Sequence, residues 1–113
     1  MEPRLPTHLE VAGMIRAVEA ASGFATVIKK GERDAGTLLV VCCKNGTNAC
    51  TWERMPQMDG TRMWTKTRQQ DPTNPAEFWD YCTRRHDQDR DLWVVELDVP
   101  DPERFLTGSV HKG

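Results

Sequence analysis

No stretch of this chain stays apolar for the ~20 residues that a membrane-spanning helix requires, and no apolar segment of signal-peptide type follows Met1. The expectation is a cytoplasmic protein with no membrane partner. The composition of disorder is also missing. Charged residues make up 28% and hydrophobic residues 38% of the 113, with a net charge of -2, the balance of an ordinary globular domain. Repeats and low-complexity segments are absent. The length suits one domain that buries a core without disulfides or metal as staples.

The signatures of common chemistries are missing too. The four cysteines, Cys42, Cys43, Cys50 and Cys82, never fall in C-x-x-C spacing, so four reduced thiols are expected. Cys43 and Cys50 flank a turn and are the pair expected to meet. There is no G-x-S-x-G nucleophile elbow. His8, His86 and His111 fall in a helix's first turn, at a helix end and in the tail, none placed to serve a thiolate. Cys82 and His86 have the i, i+4 spacing of two metal ligands. The plainer reading is a core thiol beside a solvated histidine at a fraying end. Asp87, Asp89 and Asp91 alternate like a calcium loop, but Leu92 and Asp98 stand where that loop needs Gly and a bidentate Glu. The element order invites comparison with metal-dependent nucleases. However, Trp64-Thr65-Lys66 places a tryptophan where the acid should be, and Asp34 lacks a second carboxylate. No catalytic residue, metal ligand or cofactor is assigned.

What the chain does have is one unbroken apolar run, Gly36 to Cys43. Its β-branched content, and the Asn45-Gly46 hairpin signal after it, make it a central strand buried on both faces. Before it, Thr7 to Glu10 fits a capping box. Val11, Ile15, Val18 and Ser22, flanked by Met14 and Ala21, form a helical stripe, with Gly23 as the left-handed terminator. Phe24 to Lys30 reads as a strand, followed by the polar loop Gly31 to Gly36. Ala49 to Met55 and Thr61 to Thr67 read as two strands joined by a two-residue Asp59-Gly60 turn, which sets Met55 opposite Trp64 and Glu53 opposite Lys66. Asn74-Pro75-Ala76-Glu77 opens a second helix with Phe78 and Cys82 on its inner face. Leu92 to Asp98 is a fifth strand, and Asp101-Pro102 starts a final turn carrying Phe105 and Leu106.

The predicted architecture is α+β in the order α-β-β-β-β-α-β. Two helices cover one face of a mostly antiparallel sheet of about five strands. Residues 1–106 make a single domain, and 107–113 a flexible tail.

Arg33-Asp34-Ala35-Gly36, Glu53-Arg54, Asn74-Pro75, Asp91-Leu92-Trp93 and Asp101-Pro-Glu-Arg-Phe105 occur together in this order. As a set they resemble the bacterial family catalogued as domain of unknown function 1491, from about Pro3 to Phe105. The resemblance implies a bacterial cytoplasmic protein and carries no catalytic residues.

Charge divides unevenly along the chain. Residues 54–68 hold Arg54, Arg62, Lys66 and Arg68 against Asp59 alone, whereas 71–103 hold ten carboxylates against Arg84, Arg85 and Arg90. A non-enzymatic interaction module follows, in which a basic, Trp-bearing hairpin meets an unidentified protein partner. Its candidate surface is Met55, Arg62, Trp64 and Lys66, joined by the loop pair Arg33 and Asp34. Trp64 is expected to be the exposed tryptophan, since charged neighbours seldom share a core. The alternatives are a degenerate nuclease-like hydrolase and weak nucleic-acid binding.

Overall fold

The computed structural model describes residues 5–106 as α1 (Thr7–Ala20), β1 (Phe24–Lys29), β2 (Leu38–Lys44), β3 (Thr47–Pro56), β4 (Arg62–Gln69), α2 (Pro75–Gln88), β5 (Trp93–Asp98) and a closing 3₁₀ turn (Pro102–Phe105). The expected flexible tail, 107–113, and His111 within it lie outside the described residues. The strands form one mixed sheet in the order β1-β5-β2-β3-β4. The β2–β5 pair is parallel, because α2 carries the chain from β4 across to β5, and the other three pairs are antiparallel. No described helix is long and apolar enough to cross a membrane.

β2 is the middle strand, as its apolar run predicts. Leu38, Val40 and Cys42 face one core cluster, with Val11, Met14 and Val18 of α1. Leu39, Val41 and Cys43 face the other, with Phe78 and Cys82 of α2. The helices therefore cover opposite faces, which corrects the expectation that both lie on one. A strand apolar on both sides needs two covers, and each helix supplies one.

The helix ends also differ from the local reading. Thr7 is not a cap: Pro6 holds that position, and the Thr7 hydroxyl donates to the Gly36 carbonyl at 2.7 Å. The first amides of α1 are satisfied by the loop before β2, Thr7 N–H by Asp34 at 3.1 Å and His8 N–H by Arg33 at 2.9 Å. Glu10 turns away from the helix end to Arg54. At the C-terminus Ser22, not Gly23, is left-handed (φ 67°). Gly23 N–H closes the turn on Val18 at 2.9 Å. Gly23 is glycine for another reason: a Cβ there would stand 2.6 Å from Val99. Asn74 occupies the α2 cap position without a side-chain bond, and Glu77 reaches Arg68 instead of its own amides. α2 runs on past His86, which is buried, its Nδ1–H donating to Leu92 at 2.8 Å.

The hairpin register is the largest correction. Asp59-Gly60 is not a two-residue turn but part of a loop at 57–61. The Asp59 carboxylate accepts from the Thr61 amide and hydroxyl, and Gly60 carries the positive φ, 88°. Arg54 therefore opposes Trp64 and Glu53 opposes Thr65. One residue of slip moves the β4 side chains from Arg62 to Lys66 to the other face of the sheet, and a bulge at Thr51/Trp52 restores the expected pairing at Arg68 and Gln69.

Candidate functional site

The shifted register decides where the expected surface residues sit. Trp64 is buried, 2% exposed, in the α1-side core with Trp52, correcting its assignment to the surface. Both tryptophans share that face because Arg54 pairs with Trp64 and Trp52 with Lys66. Lys66 stays exposed, its Nζ 3.4 Å from Gln69. Arg33 and Asp34 are exposed and 3.8 Å apart, and their carbonyls cap α1. The turn they occupy is shaped by Glu32, which accepts from the amides of Asp34 and Ala35 at 3.1 and 2.6 Å. Those two bonds, Ala35 first, hold the Glu32 carboxyl below its usual range.

Met55 and Arg62 do come together, on the wall of an open groove of about 1080 Å³. Lys66, Arg33, Asp34 and the buried Trp64 are not among its lining residues. The opposite wall is α1, through Leu9, Gly13, Arg16 and neighbours, and the 3₁₀ turn adds Arg104 and Phe105. The Glu10–Arg54 ion pair bridges α1 to β3. The Arg54 guanidinium lies over the Trp64 ring at 4.6 Å, so a cation seals the indole from solvent. Beneath it, the indole N–H of Trp64 is buried without an acceptor among the described residues.

Charge and apolarity coincide along this groove. Five arginines line it, against Glu10 and Glu53. Those two carboxylates are committed, Glu10 to Arg54 and Glu53 to Arg85 at 2.8 Å. Among the described residues Arg16, Arg62 and Arg104 have no carboxylate partner, and Arg104 stacks on Phe105 at 4.7 Å. Leu5, Leu9 and Met55 are 60%, 48% and 39% exposed here. Sequence reading missed Leu5, Leu9 and the α1 arginine. The available signal was that Leu5 and Leu9 fall off the buried stripe of Thr7, Val11, Met14 and Val18.

A Cβ at Gly13 would meet nothing within 4 Å. Gly13→Ala should therefore stabilise the helix by about 0.5–1 kcal/mol, read as a rise of a few degrees in Tm. A fall in Tm would show that this helix face is not open.

The side of the hairpin toward α2, where the groove reaches Glu53 and Arg85, is tied to that helix. Arg85 is bidentate to Glu53 and also donates to Tyr81 at 2.8 Å, while Arg68 pairs with Glu77 and stacks on Tyr81 at 4.1 Å. Burial works to raise the Glu53 carboxyl, but the bonds from Arg85 and Thr67 outweigh it and hold it below its usual range. The Glu53 bond in turn raises Arg85.

The structure does not assemble the metal site weighed at Cys82 and His86. Among the described residues the one group with ligand spacing is Cys43, Glu96 and Asp98. There the Cys43 thiol donates to Glu96 at 3.2 Å, and both Asp98 oxygens accept turn amides, from Asn45 at 2.7 Å and Gly46 at 2.9 Å. This is how the β2–β3 hairpin is anchored to β5.

All four cysteines are free and buried. Cys42, not Cys43, opposes Cys50, because neighbouring residues on a strand point to opposite faces. Burial raises all four thiols, Cys82 to about 11. Ellman titration of the native protein should be slow and then reach four equivalents on unfolding. Fast titration of the folded protein would contradict this packing.

The family model described as "Protein of unknown function (DUF1491)" matches residues 5–107. A crystal structure of a DUF1491 family protein from Caulobacter crescentus is similar with a TM-score of 0.78 and 32% identity, covering 94% of this chain and 98% of that one. An NMR structure of a DUF1491 family protein from the same organism gives 0.77 and 31%, covering 96% and 97%. A solution structure of a protein from A. tumefaciens gives 0.75 and 28%, covering 98% of both chains. No curated protein matches the chain.

Proposed function

The chain belongs to the DUF1491 family, and on that premise we propose that it is a non-enzymatic interaction module whose groove between α1 and the β3–β4 hairpin receives a segment of a partner protein. One observation carries the reading. Exposed Leu5, Leu9 and Met55 gather where Arg16, Arg62 and Arg104 lack carboxylate partners among the described residues. Arginine and methionine are enriched at protein interfaces, and methionine repacks readily around a guest. The fitting guest is an amphipathic segment that offers apolar anchors to the groove and carboxylates to its arginines. Leucine and methionine, in place of a platform of exposed aromatics, favour a protein over single-stranded nucleic acid. The module works in a bacterial cytoplasm, where buried thiols stay reduced.

Gly13→Trp fills the groove from the α1 side, and Arg62→Glu reverses charge on the hairpin side. Affinity capture from a lysate of the source organism should yield a protein that the wild type holds and both variants release, with all three melting alike. A partner held equally by all three would place the surface elsewhere. Captured material stripped by nuclease would identify phosphate contacts and overturn the protein-segment reading.

A further inference from the structure

We propose that Asn45-Gly46 is a latent site of succinimide formation, that Asp98 holds it closed, and that its conversion unclips the β2–β3 hairpin from β5. Both residues are exposed at the tip of that hairpin. Glycine after asparagine leaves the attacking nitrogen without a Cβ to shield it, and nothing lies within 4 Å of where a Cβ on Gly46 would stand. Asn48 is followed by Ala49, whose Cβ hinders the same approach. Asn74 is followed by Pro75, which has no N–H to lose.

The step is an intramolecular acyl transfer between neighbouring residues, which proximity favours. The Gly46 nitrogen bonds to the Asn45 Cγ. Its proton passes through water to the side-chain nitrogen, which leaves as ammonia. Water then opens the succinimide at either carbonyl, leaving aspartate or isoaspartate at 45. Asp98 opposes the first bond. Its Oδ2 accepts from the Gly46 N–H at 2.9 Å and its Oδ1 from the Asn45 N–H at 2.7 Å. The nucleophile is therefore pinned by a charge-assisted bond, and the negative charge it gathers on losing its proton would build beside a carboxylate. Asn45 and Gly46 are both left-handed, with φ 52° and 72°, as in tight hairpin turns. Ring closure must turn the peptide plane that these two bonds fix. The grip is firm because β5 lies inside the sheet, between β1 and β2.

The isoaspartate product runs the main chain through its side chain and adds a methylene between the two amides. One carboxylate then no longer spans both, and the turn leaves β5. Cys43, whose thiol lies beside the Gly46 amide and donates to Glu96, reports the change.

Peptide mass spectrometry of the full chain, aged in neutral buffer, reads the exchange of amide for acid, and Asn48 in the same tryptic peptide is the internal reference. Folded wild type should convert at Asn45 at least about tenfold more slowly than the urea-unfolded chain, and folded Asp98→Ala should recover most of that difference. Asp98→Asn, which keeps one acceptor oxygen, should fall between. Thr47→Ala deletes a turn bond to the Lys44 carbonyl at 2.9 Å but leaves the grip, and should convert like wild type. In the converted protein Cys43 should react with Ellman's reagent without unfolding. Wild type that converts as fast folded as unfolded overturns the proposal, as does Thr47→Ala matching Asp98→Ala. Should Asp98→Ala not fold, a rate for Asp98→Asn equal to that of wild type overturns it instead. A Cys43 that stays masked after full conversion overturns the unclipping.

Discussion

Val41→Asp should abolish soluble folded protein, and Leu39→Asp should do the same. Both side chains have 0% exposure on β2, in the cluster beneath α2 with Phe78, Cys82 and Val94. β2 is hydrogen-bonded to β5 on one side and β3 on the other, so it has no edge from which a carboxylate could reach water. An unpaired buried charge costs several kcal/mol, against a total stability of about 5–15 kcal/mol. Leu39→Ala is the control, losing about 2–5 kcal/mol by cavity formation yet introducing no charge. Soluble yield, circular dichroism and thermal melting give the result. Near-native melting of both aspartate variants would remove β2 from the centre of the sheet.

That strand was legible because its signal is redundant: composition, length and the Asn45-Gly46 turn all agree. The element order was legible for the same reason, and of the expected α1 stripe Val11, Met14 and Val18 are buried, whereas Ser22 lies exposed beyond the helix end. The placement of the helices was also written in the sequence, since alternate residues of Leu38 to Cys43 cannot all be buried under a single layer. Thr7, Glu10 and Glu77 misled because capping patterns are local, whereas Gly36, Arg54 and Arg68 are partners brought in by tertiary packing. The hairpin failed on one loop. Asp59-Gly60 carries the two-residue signal, but the chain spends 57–61 on the turn, and the slip exchanged the faces of β4 from Arg62 to Lys66. Half of the groove was therefore legible, Met55 and Arg62 on the hairpin. The other half comes from α1 and the 3₁₀ turn, remote in sequence and joined only by the fold.

Trp64→Ala is the variant on which that slip can be tested. With Arg54 opposite it, the indole lies 2% exposed in the α1-side core, under the Arg54 guanidinium. Truncating a buried tryptophan costs about 3–5 kcal/mol, which for a domain of this size lowers Tm by roughly 10–20 °C. The opposite register would instead set Trp64 beside Arg62 and Lys66 on an open face, and alanine there would melt within a few degrees of the parent. The indole N–H adds a second discriminant. Because it is buried without an acceptor among the described residues, Trp64→Phe forfeits no hydrogen bond and removes an unsatisfied donor, a gain that offsets part of the lost ring volume. Trp64→Phe should thus melt well above Trp64→Ala. If Trp64→Ala melted like the parent, the pairing of Arg54 with Trp64 would be wrong, and with it the floor beneath the groove.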